Sequence, residues 1–178
     1  DPMAASSAAP ISSEQRLGEI LVRRGALTDE ALGTALQTQT ERGGRLGELL
    51  LAQKSLNERD LLLALGEQLE LPVLERIDDR SIPDDLITAV PINFAKQFRL
   101  VILGRTEDGM VRVACADPLG LAPLDDLAML VCAPLRIELA QSEHIIEAIN
   151  RAYDRGTAHA AAAMEGMKDE NLDTFSQD

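Results

Sequence analysis

RLGEILVRRGALTDEALGTALQTQ (Arg16 to Gln39) lies without gaps on RLGELLLAQKSLNERDLLLALGEQ (Arg45 to Gln68), at an offset of 29 residues. Ten of the 24 positions are identical: Arg16/Arg45, Leu17/Leu46, Gly18/Gly47, Glu19/Glu48, Leu21/Leu50, Leu27/Leu56, Leu32/Leu61, Ala35/Ala64, Leu36/Leu65 and Gln39/Gln68. Recurring leucines alone would mean two similar core helices. A recurring Arg, Gly and Gln is different, because no apolar core needs an Arg-Leu-Gly opening and a closing Gln twice. Two copies of one polar constellation point to a ligand that itself has two similar halves.

Working outward, each copy reads as a pair of helices. Ser12-x-x-Gln15 is a capping box opening the first, which runs to about Arg24, where Gly25 supplies a residue able to turn left-handed. Thr28 caps the second, with Asp29 and Glu30 in the first turn, where the helix dipole favours them. Gly43-Gly44 breaks the chain. The cycle repeats with a short helix from about Leu46 and a longer one capped by Asn57 and ending near Leu69; Leu71-Pro72 closes the block.

The chain then changes character. Pro83 and Pro91 each start a short helix, over 83–89 and up to Phe98. Leu100 to Arg105 and the alternating Met110 to Ala116 read as strands joined by a Glu107-Asp108-Gly109 hairpin. A helix over 120–131, a third strand over Leu135 to Leu139 and a helix capped by Ser142 and running through Tyr153 complete a β-β-α-β-α unit. The fold class is therefore α+β: an N-terminal helical subdomain of two tandem helix-pair motifs followed by a small β-β-α-β-α subdomain. The expected divisions are 1–11, a disordered leader beginning with what reads as a cloning scar (Asp1-Pro2-Met3); 12–71, the repeat; 72–154, the α/β part; and 155–178, an Ala-rich, acidic, flexible linker toward a further domain.

Bulk chemistry narrows the function. The net charge of −13 is the wrong sign for non-specific nucleic-acid binding or for docking on anionic lipid. Residues 15–71 hold seven basic and nine acidic groups, so the repeat block is only −2. Any anion site there works through local groups, since long-range steering is poor. No apolar stretch is long enough to span a bilayer. Cys115 and Cys132, isolated in sequence, read as reduced, buried thiols. There is no G-x-x-x-x-G-K-[ST] phosphate loop, no metal-spaced Cys/His set and no nucleophile–base pair, and His144 and His159 have no catalytic company. The chain reads as a binding module and not as an enzyme.

The repeat has a usable chemistry. A guanidinium at Arg16 or Arg45 presents a planar fork that matches guanine O6/N7 or a phosphate bidentately. Gly18 and Gly47 lack a Cβ, which lets a ring or phosphate come close to the backbone. Free N–H groups near a helix start favour anions. Gln39 and Gln68 each carry a donor and an acceptor, as reading a base edge requires. The plainer alternative is that both arginines pair with nearby glutamates on solvated helix surfaces.

These residues resemble the repeated motif of the MshEN domain, the N-terminal module of type II secretion and type IV pilus assembly ATPases. The family motif, Arg-Leu-Gly with spaced aliphatics, Gly, then Leu, Leu and Gln, occurs twice with a five-residue spacer, here Thr40 to Gly44. Val90 to Lys96, Val113 to Pro118 and Glu147 to Tyr153 resemble the module's second half. The resemblance covers about residues 12–155. It implies binding of cyclic di-GMP, a two-fold symmetric dinucleotide, one motif per half. Arg16 and Arg45 would grip guanine or phosphate, Gln39 and Gln68 would hydrogen-bond the ligand, and Leu17 and Leu46 would form an apolar bed beside Gly18 and Gly47. Asp117 would orient the ligand or an arginine, or serve only as a turn residue before Pro118.

It further implies docking on the cytoplasmic domain of an inner-membrane platform protein and hexameric assembly through a downstream ATPase domain that holds ATP and magnesium. The location is then cytoplasmic, peripheral to the inner membrane through that partner. A docking module without nucleotide binding, and the equivalent domain of a pilus extension ATPase, are the alternatives. This sequence departs from the motif where Gly25 has Lys54 as its counterpart and where Ala26 and Ser55 replace aliphatics. A Lys in a left-handed position costs about 1 kcal/mol relative to Gly.

Overall fold

A computed structural model describes residues 13–175; the expected leader at 1–11 and the Ser12 half of the capping box lie outside them. The chain divides between Val73 and Leu74 into two compact units. In the first, α1 (Ser13–Arg23), α2 (Asp29–Arg42), α3 (Leu46–Ala52) and α4 (Glu58–Leu69) follow one another. Thr28 and Asn57 cap α2 and α4 as their chemistry demands. The Thr28 hydroxyl accepts from Ala31 N–H at 3.1 Å, and the Asn57 side-chain oxygen accepts from Asp60 N–H at 2.8 Å.

The two copies match bond for bond where each short helix turns into the long one. Gly25 N–H donates to Val22 O at 3.0 Å and Ala26 N–H to Leu21 O at 3.0 Å; 29 residues on, Lys54 N–H donates to Leu51 O at 3.1 Å and Ser55 N–H to Leu50 O at 3.2 Å. Lys54 adopts the left-handed conformation (φ 57°) that Gly25 takes at φ 74°. Packing then exchanges the copies: α1 lies along α4 and α2 along α3. The core between them is aliphatic, with Leu21, Leu50 and Leu62 fully buried beside Ala35 and Ala64. Each such leucine contributes about 1.5–3 kcal/mol by leaving water.

The second unit runs α5 (Asp84–Ala89), α6 (Ile92–Phe98), β1 (Leu100–Arg105), β2 (Val111–Cys115), α7 (Leu121–Val131), β3 (Leu135–Leu139) and α8 (Ser142–Phe175). β2 is the central strand, antiparallel to β1 and parallel to β3. A bulge between Ile102 and Gly104 shifts the β1 register. As the middle strand β2 is buried nearly throughout, which hides the alternation its sequence suggests. The mostly helical α+β class is as the sequence indicates.

Three local readings change. Ser142 is the first residue of α8 and not the one before it: Ile145 N–H donates to Gln141 O at 3.1 Å, and the Ser142 hydroxyl accepts from Arg99 at 3.2 Å. The helix expected to stop near Tyr153 continues to Phe175, where the sequence reading placed a linker; the Ala-rich run carries high helix propensity and Gly156 and Gly166 interrupt it too weakly to end it. Finally, Cys115 is buried but Cys132 is exposed. Cys132 is the residue after α7 and takes a left-handed conformation (φ 53°) that ends the helix.

Candidate functional site

The exchanged packing places the polar residues of the repeat. Gln68, at the end of the second copy, donates its amide to the Ser13 carbonyl at 2.8 Å, next to the start of the first copy. Gln39, at the end of the first copy, donates to the Gly44 carbonyl at 3.0 Å, directly before Arg45. Each glutamine therefore reaches the opening of the other copy's Arg-Leu-Gly helix. Arg16 and Gln68 line one open pocket of about 580 Å³, with Glu19, Ile20, Arg23, Glu67 and Glu70. Gly18 and Gln39 line a second of about 480 Å³, with Glu14, Gln15, Glu19, Leu32 and Leu36.

The two arginines are not equivalent. Arg16 lies one turn inside α1, exposed, with no hydrogen bond or ion pair within the described residues. Arg45 is the residue before α3, with extended backbone (φ −87°, ψ 138°), and forms an ion pair at 3.7 Å with Glu48. That is the pairing the plainer alternative foresaw, and an exposed i,i+3 pair of this kind contributes well under 1 kcal/mol. Glu67 accepts from both Arg23 and Arg24, the latter at 3.3 Å. Desolvation raises its pKa, but these arginines outweigh that and hold the carboxyl below the ordinary value.

Leu17 and Leu46 are only 5 % and 1 % exposed. They pack the helices together and have little surface to offer a ligand, contrary to the apolar-bed reading. The leucines open to the second pocket are Leu32 and Leu36, the latter 40 % exposed. Gly18 and Gly47 likewise serve packing first. A Cβ on Gly18 would stand 3.0 Å from the Leu32 side chain, and one on Gly47 would stand 3.2 Å from Leu61, the repeat counterpart of Leu32. The glycine is thus the point where each short helix crosses the long helix of its own copy. The space a Cβ would take is held by a leucine in both copies.

Asp117 belongs to the second unit, where its carboxylate accepts from Leu119 N–H at 3.1 Å and closes the turn after β2. It raises the pKa of neighbouring Cys115, second to burial, which together push the thiol to about 12. Among the described residues no group of His, Cys, Asp and Glu could hold a metal ion, and no helix is long and apolar enough to cross a membrane.

Sequence reasoning passed over Glu14. Its carboxylate accepts from the Gln39 amide at 2.5 Å and from the Leu46 backbone N–H at 3.3 Å. It lies outside the aligned 24 residues, and its counterpart 29 positions on is Gly43, so the repeat gave no signal for it.

The MshEN domain model matches residues 69–159, from the end of α4 through most of the second unit, with the tandem repeat lying before it. A solved structure of MshE with cdg superposes with a TM-score of 0.62 at 30% identity, over 78% of this chain and 99% of that chain. Type IV pilus assembly ATPase PilB of Myxococcus xanthus (strain DK1622) is 30% identical over 138 residues, 78% of this chain and 24% of its own length. Type II secretion system protein E of Xanthomonas campestris pv. campestris is 29% identical over 157 residues, 86% of this chain and 28% of its own. This chain therefore spans about a quarter of the length of these curated relatives. Fold and matches together define a domain carried by secretion and pilus assembly ATPases. The chain belongs to the MshEN domain family.

Proposed function

We propose that the first unit binds one molecule of cyclic di-GMP across two crossed half-sites, as the regulatory input of a type II secretion assembly ATPase. The observation that carries this reading is the exchange itself: the glutamine closing each copy bonds the backbone ahead of the arginine that opens the other, one residue before Arg45 and three before Arg16. A two-fold symmetric dinucleotide needs two like sets of groups in that relation. In each half the arginine grips a guanine edge or a phosphate, and the glutamine supplies a donor and an acceptor. Leu32 and Leu36 cover a base face, while Leu17, Leu46, Gly18 and Gly47 fix the helices that hold the polar groups. The structural likeness to MshE with cdg supports the choice of ligand.

In this reading ATP and magnesium act in another domain of the whole protein, which assembles as a hexamer. The domain docks on the cytoplasmic part of an inner-membrane platform protein and so stays at the inner membrane without entering it. The likeness to PilB supports the same role in a pilus motor as the alternative.

Calorimetric titration of alanine variants tests the half-sites. Arg16→Ala, Arg45→Ala, Gln39→Ala and Gln68→Ala should each weaken cyclic di-GMP binding by about 1–3 kcal/mol, the scale of one bidentate base contact. Arg16→Ala with Gln68→Ala should be less than additive, because the pair shares one half of the ligand, whereas Arg16→Ala with Gln39→Ala should add. Wild-type affinity in both arginine variants would remove the assigned roles and leave platform docking as the function.

A further inference from the structure

The two glutamines of the repeat differ in one partner, a charged one. Beside Gln39, the Glu14 carboxylate accepts from the glutamine amide through one oxygen and from the Leu46 backbone N–H through the other. Gln68 donates to a backbone carbonyl, that of Ser13, as Gln39 does to Gly44, but the repeat counterpart of Glu14 is Gly43, which has no side chain to offer. Glu14 also lines the pocket that Gly18, Leu32, Leu36 and Gln39 enclose.

We propose that Glu14 is an intramolecular competitor: its carboxylate takes up the donors of the Gln39 half-site and must leave before an anionic or carbonyl-bearing ligand half can use them. The proposal rests on the cyclic dinucleotide reading and deepens it, because it makes the half-sites unequal. The Arg16–Gln68 half carries an exposed guanidinium with no ion pair among the described residues and fills first. The Gln39 half fills only as Glu14 swings out, so Glu14 sets the overall affinity. The competition is effective because two hydrogen bonds to a carboxylate are stronger than neutral ones and because the competitor is tethered two residues from Arg16. A negative charge there also repels a phosphate approaching the same donors.

The test is cyclic di-GMP titration of the wild type, Glu14→Ala and Glu14→Gln, with thermal melts of each to confirm folding. Glu14→Ala should bind roughly three- to ten-fold tighter, the return on freeing one or two hydrogen-bonding groups. Glu14→Gln should shift the same way by less, since its neutral oxygen still accepts from Gln39 but more weakly. Binding that appears only once Glu14 is replaced supports the competitor in its strongest form. Wild-type binding with both variants unchanged or weaker overturns the competitor and leaves the dinucleotide reading standing. No binding by any of the three overturns both.

Discussion

Lys54 shows how a single position absorbs a departure from the repeat. Its backbone takes the left-handed turn of Gly25 and keeps both hydrogen bonds of that turn. The cost is steric, a Cβ crowded against a carbonyl, and falls on stability and not on the half-site. Lys54→Gly should therefore stabilise the first unit by about 1 kcal/mol in chemical denaturation while leaving dinucleotide affinity within a factor of about two. A large loss of affinity would instead make the ammonium a ligand contact. Cys115 and Cys132 differ in the same local way. Burial pushes the Cys115 thiol up to about 12 and leaves it without thiolate at neutral pH, whereas Cys132 is exposed. Thiol labelling of the native protein should modify Cys132 and spare Cys115.

The glycines matter between elements. Gly18 and Gly47 let α1 and α3 cross the leucines of α2 and α4. A branched side chain has no room there, so Gly18→Val should cost about 1–3 kcal/mol of unfolding free energy, part of which a smaller residue at Leu32 should restore. Equal stability of Gly18→Val and the wild type would show that the crossing is loose.

Elements were the most legible part of the sequence. Thr28 and Asn57 announced α2 and α4 through cap chemistry, Pro83 and Pro91 marked the starts of α5 and α6, and the three strands lie within a residue of their apolar runs. The end of α8 was not legible, because an Ala-rich acidic run fits a free linker and a helix equally by composition. The site was legible as a set of residues but not as an arrangement. Identity between copies singles out Arg, Gly and Gln without saying that α1 lies along α4, and it ranks Leu17 with Leu36 although one is buried and the other open. Glu14 left no trace, since a group present in one copy only is invisible to a search for repetition.

At the scale of the whole molecule, the second unit is tied by charge as well as by its sheet. Asp79 is buried and accepts from Arg155 at 2.7 Å, with Arg151 at 3.4 Å. Burial alone would raise its pKa, but the hydrogen bond from Arg155, a backbone hydrogen bond and the two positive charges prevail and hold it below the ordinary 3.8. A carboxyl depressed in the folded state stabilises fully above its unfolded pKa, and that stabilisation is lost as the pH falls through the lower folded value. The second unit should thus lose stability below about pH 4, with Asp79→Asn less stable at neutral pH and flatter in acid. Urea unfolding at neutral and acid pH reads this directly, and parallel pH profiles for the two proteins would contradict it.

A dinucleotide seated across two copies of one motif is the function proposed for the first unit. Its most direct test is calorimetric titration of cyclic di-GMP into the wild-type chain, with GTP as the control ligand. Binding should saturate at one cyclic di-GMP per chain, low-micromolar or tighter, with GTP far weaker because it fills only one half. No heat and no thermal stabilisation at high ligand concentration would contradict it and reduce the repeat to a helical scaffold.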